Sequence, residues 1–479
     1  MIMRSELVFQ NNFSQVQDKM LKGTRSIYFI GIGGIGMSGL AKVMFELGYQ
    51  ISGSDIRENN LISSLRKRGI KIYRGHSSKN IKDADLIVTS SAISLDNPEL
   101  SEARKRKIPI LSRGELLSYL VNTGEGIVVA GTHGKTTTTS LIASLLLKAG
   151  KNPTIFVGGE LNEIGGNSYL GTGRYIVAES DESDGSFLFL HPKIAILTSL
   201  EDDHLEYYGS QDKLDQAFKK FSSQLKSGGI LIANQDDEKI KKISHQVISN
   251  PSSQNVIFYG LHGGDLCGQK IKYYSLSSSF QVKYKTKLLG KINLSLPGEH
   301  NIYNCLAAIS VGISLGISWD KLREAISNFQ GVKRRFEIIG EAHSVLIVDD
   351  YAHHPTEIRA VLKAARKMNR RIIAIFQPHR YTRTKLFLNK FSPAFQKADI
   401  LILTQIYGAG EHPLPGVNGE LLFKIIKRER KLPTYYLDTS EEIIDFLVKQ
   451  VRKGDLVITI GAGNIREVGE KLIKQGELQ

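Results

Sequence analysis

Three times along this chain a short, uninterrupted apolar run gives out into a glycine-rich or acidic turn and then into apolar residues at helical spacing. The three are SIYFIGIGGIGMSGLAKVMFELG from residue 26, GIVVAGTHGKTTTTSLIASL from residue 126 and SVLIVDDYAHHPTEI from residue 344. Such a run followed by a crossover helix is the signature of a parallel sheet, so the fold class expected is α/β. Further runs of the same kind follow each one: YQISGSD, DADLIVTSSAI and KIPILSR after the first; RYIVAESDE, KIAILTSLEDDH and GGILIANQDD after the second; RRIIAIFQPHR, ADILILTQIYGAG and DLVITIGAGN after the third. At roughly 100 to 200 residues per domain, 479 residues suit about three domains. The first is expected to end near residue 122, and GVKRRFE reads as a hinge between the second and third. Residues 245–297, with Ser-rich SLSSSF and alternating FQVKYKTKLLGKINLSLPG, suggest a small antiparallel excursion without chemistry.

A formal net charge of +15 raises the question of a polyanionic partner. The basic clusters, Arg66 to Arg68, Arg104 to Lys107 and Lys427 to Lys431, fall on helix faces and loops without interleaved aromatics for base stacking. They read as solvated surface, with no nucleic-acid partner, and the excess suits small substrates rich in phosphate. No apolar run reaches bilayer length, so no membrane span is expected. The start, MIMRSELVFQNNFSQ, lacks a secretory pattern and reads as a short loose segment. Cys267 and Cys305 make neither a disulfide framework nor a CxxC pair, and a cytoplasmic location is the expectation.

In Gly131-Thr132-His133-Gly134-Lys135-Thr136 an apolar strand delivers the chain to glycines that let backbone N–H groups turn toward an anion, and a helix begins directly after. Lys135 is placed to contact outer phosphates and the Thr136 hydroxyl to ligate Mg²⁺. The loop is shorter than the usual GxxxxGK[ST], since position 129 is Val. A second glycine turn, Gly31-x-Gly33-Gly34-x-Gly36, also joins a strand to a helix, and Asp55 ends the next strand about where a ribose-binding acid should fall. Taken alone it suits a nicotinamide dehydrogenase, or equally the diphosphate of a UDP-sugar. The first alternative leaves the Lys-Thr loop unexplained. A nucleotide switch or binding protein is the other class left open.

Glu179 terminates RYIVAE, with Asp181, Glu182 and Asp184 after it, and KIAILTSL runs into Glu201, Asp202, Asp203 and His204. Ligands bind beyond the carboxyl ends of parallel strands, so these groups and the phosphate loop should share one crevice. Most of the acids are expected to be solvated or to cap helices. Glu179 and His204, closest to strand exits, are the candidate metal ligands alongside Thr136. In the third series Asp349, Asp350, Tyr351, His353 and His354 follow VLIV, and Pro355 opens a helix that a histidine would cap. Gln377, His379, Arg380 and Arg383 follow RIIAIF, and the two arginines suit a carboxylate or phosphate.

In this order GIGGIGMSGLA, GTHGKTTTTSLIA, ESDESDGSFL, EDDHLEYY, GEHNIYNCLAAI, GVKRRFE, DDYAHHPTEI and QPHRYTRT closely resemble the Mur ligases over nearly the whole chain. The resemblance implies an ATP-dependent, amide-forming enzyme of bacterial cell-wall synthesis, in the branch that joins L-alanine to UDP-N-acetylmuramate. It implies a Rossmann-like UDP-substrate domain over residues 1–122, a central P-loop ATPase domain over 123–333 and a Rossmann-like domain over 334–479. By the same resemblance Gly131, Thr132, His133, Gly134, Lys135, Thr136 and Thr137 form the ATP loop. Lys135, Glu179 and His204 are then the catalytic set. Thr136 and Glu179 hold the ATP-side Mg²⁺, and His204 helps hold a second, with Mn²⁺ able to substitute. His300, Asn301 and Asn304 match a nucleotide-contacting block, and Arg335 and Asp350 match positions near the ATP ribose and phosphates. Gly33, Gly34, Ile35, Gly36, Asp55 and His76 serve the UDP moiety. Tyr351, His353, Arg380 and Arg383 lie near the amino-acid and muramoyl groups. A monomer or weak homodimer is expected. The family usually has Asn where this chain has Ser199, so no role is carried to it, and Lys219 and Lys220 are not matched to the carbamylated lysine of related ligases.

Overall fold

The computed structural model describes residues 21–248, 255–429 and 431–475. The expectation of a loose N-terminal segment lies outside these residues. The described residues form two compact units, one falling within 1–269, 281–292 and 303–329 and the other within 270–280, 293–302 and 330–479.

The central apolar runs form strands that are buried along their whole length, as at Ile194–Leu197, Ile372–Phe376, Ile400–Leu403 and Leu456–Ile460, and the helical stretches cover the sheet faces. In the first unit β1 (Ser26–Ile30), β2 (Gln50–Asp55), β3 (Lys71–Arg74), β4 (Leu86–Thr89) and β5 (Ile110–Ser112) make a parallel sheet in the order β3-β2-β1-β4-β5. Strand β1 carries the glycine turn at its carboxyl end and lies between β2 and β4, at the point where the strand order reverses.

A second sheet contains β6 (Glu125–Ala130), β7 (Thr154–Leu161), β8 (Gly166–Tyr169), β9 (Tyr175–Glu179), β10 (Ile194–Leu197), β11 (Ile230–Asn234), β12 (Asn255–Gly260), β13 (Leu266–Tyr273), β14 (Ser278–Tyr284) and β15 (Lys287–Leu294). Its order is β15-β14-β13-β12-β11-β10-β6-β9-β7-β8, and β8 runs antiparallel to β7. The Ser-rich stretch therefore joins the edge of this large sheet. Alternating polarity shows a half-buried strand but not which edge it extends.

Within the first unit the two sheets are held together. The helix Ile35–Glu46, which follows the first glycine turn, packs on the β7–β8 hairpin: Lys42 Nζ donates to the Ser168 carbonyl at 2.7 Å, and Asn167 Nδ2 donates to the Ile35 carbonyl. Arg113 Nη2 reaches Asp181 at 2.8 Å, and the Arg113 side chain fills the space beside Gly36.

In the second unit β16 (Glu337–Ala342), β17 (Val345–Asp350), β18 (Ile372–Phe376), β19 (Ile400–Leu403), β20 (Thr434–Tyr436) and β21 (Leu456–Ile460) form a sheet in the order β16-β17-β21-β18-β19-β20. Only β16 is antiparallel. No helix among the described residues is long and apolar enough to cross a membrane.

Candidate functional site

The anion-binding loop follows β6. Gly131 (φ +136°) and Gly134 (φ +78°) both occupy backbone regions that side chains disfavour. A Cβ on Gly131 would stand 2.2 Å from Thr198 Oγ1, and one on Gly134 2.5 Å from Asn304 Oδ1. The adjoining strand end braces the loop: Thr132 N–H donates to the Ser199 carbonyl at 2.8 Å, His133 N–H to Ser199 Oγ at 2.9 Å, and Thr198 Oγ1 to the His133 carbonyl at 2.6 Å. Ser199, given no role from the sequence, thus shapes the loop directly. Thr132 Oγ1 accepts from the Glu201 N–H at 2.9 Å, and Thr137 lies buried in the first turn of the helix Lys135–Lys148. Asn304 accepts from the Thr138 hydroxyl at 3.2 Å, which sets it against the same helix.

Lys135 Nζ donates to the Gly131 carbonyl at 2.5 Å and to Glu182 Oε1 at 2.7 Å. Burial pulls its pKa down, but the Glu182 and Glu179 carboxylates outweigh that, and the ammonium ends above the ordinary lysine value. Thr136 Oγ1 donates to Glu179 Oε1 at 2.9 Å, while the other Glu179 oxygen accepts the Gly158 N–H at 2.8 Å. His204 sits at φ +57°, with Nε2 3.8 Å from Glu182 Oε1 and 3.5 Å from Asp203. The crevice expected from the strand exits thus brings together Lys135, Thr136, Glu179 and His204, with His204 near Glu182.

Sequence reasoning missed Glu182. An acid in the turn after a strand reads as solvated, yet Glu182 is 3% exposed, its Oε1 pairs with Lys135, and its Oε2 is buried without a hydrogen-bond partner among the described residues. A hydroxyl, two carboxylates and an imidazole form a mostly hard-oxygen donor set, and that unsatisfied carboxylate oxygen fits a Mg²⁺ ligand. Lys219 and Lys220 are exposed on the helix Gln211–Ser223.

At the first glycine turn Asp55 faces the backbone: its oxygens accept the Gly33 N–H at 2.9 Å and the Arg57 N–H at 3.0 Å. Gly34 caps the helix Ile35–Glu46, and Ile35 is 39% exposed. His76, just beyond β3, is held through Nδ1 by Glu99 Oε2 at 3.0 Å and Ser54 Oγ at 2.9 Å. Glu99 is fully buried and was also missed.

In the second unit Asp350 is 5% exposed, and its oxygens accept the Phe336 N–H at 2.7 Å and the Ala352 N–H at 2.8 Å. Burial raises its pKa to about 6 against the opposing pull of Arg335. His300 is pushed down to about 4, first by burial and then by Arg335. Asn301 Nδ2 donates to the Pro297 carbonyl at 2.8 Å.

The Arg335 guanidinium lies 5.2 Å from the Tyr351 ring centre, which in turn meets His353 edge-on at 5.6 Å. His353 neighbours His379 at 5.4 Å, and Arg383 Nη1 approaches His379 Nδ1 at 3.2 Å. His354 does cap the helix Pro355–Ala365, accepting the Thr356 N–H at 3.3 Å. Arg380 adopts φ +67° and ψ +138°, and its Nε is buried without a partner among the described residues. That backbone conformation costs strain, and Nε gains no hydrogen bond among the described residues to offset it.

The family profile "Mur ligase family, catalytic domain" matches residues 26–124, "Mur ligase middle domain" residues 129–312, and "Mur ligase, glutamate ligase domain" residues 334–463. The chain is 44% identical over 460 residues to the UDP-N-acetylmuramate--L-alanine ligase of Trichlorobacter lovleyi, covering 95% of this chain and 100% of that one. It is 45% identical over 451 residues to the enzyme of the same name from Geotalea uraniireducens, covering 94% and 97%. Among solved structures, the UDP-N-acetylmuramate-alanine ligase of Thermotoga maritima superposes with a TM-score of 0.80 at 32% identity, over 94% of this chain and 98% of that one.

Proposed function

The chain belongs to the Mur ligase family, and from that membership we propose that it joins L-alanine to the carboxylate of UDP-N-acetylmuramate, converting ATP to ADP and phosphate, in peptidoglycan precursor synthesis. We assign the UDP-sugar to residues 1–122, ATP to 123–333 and the remaining contacts to 334–479, in a protein of the cytoplasm. The observation that carries the reading is the convergence of Lys135, Thr136, Glu179, Glu182 and His204 on one anion-binding loop in a chain 44% identical to such ligases over 95% of its length.

A carboxylate resists attack by an amine, so it must first be activated. In the proposed sequence a muramoyl carboxylate oxygen forms a bond to the γ-phosphorus of ATP as the bond to the bridging oxygen breaks, giving an acyl phosphate and ADP. The neutral amine of alanine then attacks the acyl carbon, phosphate departs with the C–O electron pair, and the nitrogen loses a proton to solvent. Lys135, held protonated by its carboxylate neighbours, stabilises charge gathering on the transferred phosphoryl oxygens. Thr136 and Glu179 are assigned to one Mg²⁺ and Glu182 with His204 to another, where the ions would offset repulsion between two anions. Gly131, Thr132, His133, Gly134 and Thr137 cradle phosphates through their backbone and first helical turn. Asn301, Asn304, His300, Arg335 and Asp350 are assigned to the nucleotide, and Tyr351, His353, Arg380 and Arg383 to alanine and the muramoyl group.

The test is phosphate release from ATP with UDP-N-acetylmuramate and, in separate assays, L-alanine, glycine, L-serine and the peptide L-alanyl-γ-D-glutamyl-meso-diaminopimelate. L-Alanine should drive release with matching amide formation. Release driven by the peptide and not by L-alanine would overturn the reading.

A further inference from the structure

Glu99 is an acid in the first turn of the helix Pro98–Lys105, where acids usually face solvent and complement the helix dipole. Here it is 0% exposed and gathers five donors. Oε1 accepts from the Tyr28 hydroxyl at 2.8 Å, Asn80 Nδ2 at 2.8 Å and the Ser77 N–H at 3.2 Å. Oε2 accepts from the Ser54 hydroxyl at 2.6 Å and faces His76 Nδ1 at 3.0 Å. Burial holds the Tyr28 phenol far above its ordinary pKa, so it remains a donor.

The proton on His76 follows from this geometry. Ser54 has one hydroxyl hydrogen, and the 2.6 Å contact directs it to Glu99. Both groups that face Nδ1, the Ser54 oxygen and Glu99 Oε2, are then acceptors. Nδ1 must therefore carry hydrogen, which leaves Nε2 of the neutral ring as an acceptor. Nε2 makes no hydrogen bond among the described residues, and the side chain keeps 15% of its surface exposed beyond the carboxyl end of β3. Ligands of such sheets bind at those strand ends.

We propose that Glu99 is the positioning residue of the UDP-sugar site: it fixes His76 in the Nδ1–H form so that Nε2 accepts a hydrogen bond from an N–H or O–H donor of the uridine moiety. This rests on the assignment of His76 to the UDP moiety made above. It adds the buried carboxylate that sets the direction of the bond, and it rejects ligands that offer only an acceptor at that point, because two acceptors would be left facing each other unsatisfied.

Glu99→Gln supplies a sharp test. The three donors on the Oε1 side keep the amide carbonyl there, so the amide NH₂ faces His76 and favours the opposite tautomer, with hydrogen on Nε2. In ¹⁵N-labelled protein the His76 resonances should report Nδ1–H in the parent and Nε2–H in Glu99→Gln. The KM for UDP-N-acetylmuramate, or the Kd for UDP alone, should rise about tenfold, as expected for a lost and mismatched hydrogen bond, with kcat and the KM for ATP changed less than twofold. His76→Ala should weaken binding to the same degree, and adding Glu99→Gln to it should cost nothing more. An unchanged tautomer, or additive losses in the double variant, would overturn the proposal. The tautomer and the UDP titration do not depend on amide formation, so they judge it even if the ligase reading fails. Should Glu99→Gln not fold, parent His76 found with hydrogen on Nε2, or a His76→Ala variant that binds UDP normally, would overturn it equally.

Discussion

Lys135 Nζ and Glu182 Oε1 stand 2.7 Å apart, an ion pair whose acid is 3% exposed, at the start of the helix that follows the anion-binding loop. Neither charge is well solvated, so each depends on the other.

Replacing Lys135 by Met should therefore do two separable things. Phosphate release should fall by at least about 10³-fold, the scale lost when a principal charge-stabilising group of phosphoryl transfer is removed. Stability should fall by about 3 to 5 kcal/mol, because the Glu182 carboxylate is left buried without its partner. The double variant Lys135→Met/Glu182→Gln should recover most of the stability and none of the activity, as read by urea denaturation beside an ADP-release assay.

Glu179→Gln keeps the volume but weakens the acceptor that Thr136 Oγ1 meets at 2.9 Å. The KM for ATP measured at limiting Mg²⁺ should rise at least tenfold and relax as Mg²⁺ is raised. In the parent protein a chelator should abolish phosphate release, and Mg²⁺ or Mn²⁺ should restore it. Turnover that persists in excess chelator would refute the metal assignment.

His300 supplies one part of the pH dependence, alongside His379, whose pKa burial also lowers. The pKa of His300 falls from an ordinary 6.5 to about 4 on folding, so the unfolded chain takes up a proton that the folded one refuses. Its contribution is intact above pH 6.5 and lost as pH falls toward 4, a loss of order 3 kcal/mol. Asp350, raised to about 6, has the opposite sign: it favours the fold at low pH and costs stability as pH rises through 6. The variant His300→Gln should flatten the acid limb of stability against pH between those values, and Asp350→Asn should steepen it, in denaturant midpoints measured at half-unit intervals.

Arg380 offers a trade between stability and function. At φ +67° it pays backbone strain that glycine would not, so Arg380→Gly should stabilise the fold by about 1 kcal/mol. The same change should raise the KM for L-alanine at least tenfold. A variant that loses stability, or that leaves that KM unchanged, would separate the strain from substrate binding.

The strands and the crossovers between them were legible because burial on both faces leaves an unbroken apolar run, and Glu179 and His204 stood out for their places at strand exits. Ser199, Glu182 and Glu99 did not. Ser199 supports the loop through a contact 66 residues away in sequence. Glu182 lies in a turn and Glu99 in a first helical turn, positions where an acid is ordinarily explained by solvation or the helix dipole. What distinguishes them is partners supplied by other segments of the chain, Lys135 for one and Tyr28, Ser54 and His76 for the other. No periodicity in one segment carries that information. Asp55 was legible by its place at the end of its strand, and its oxygens also accept backbone N–H groups of the turn, which no pattern in the sequence announces.

The contacts of Lys42 with Ser168, Asn167 with Ile35 and Arg113 with Asp181 tie the helix behind the first glycine turn to the sheet that bears the second. In the assignment proposed above the UDP-sugar docks at the first turn and ATP at the second, so these contacts would make the first unit a gauge for the length of the substrate that joins them. A nucleotide sugar shorter or longer than that gauge could dock by its diphosphate and still hold its acid out of reach of ATP, so discrimination would show in turnover and hardly at all in binding.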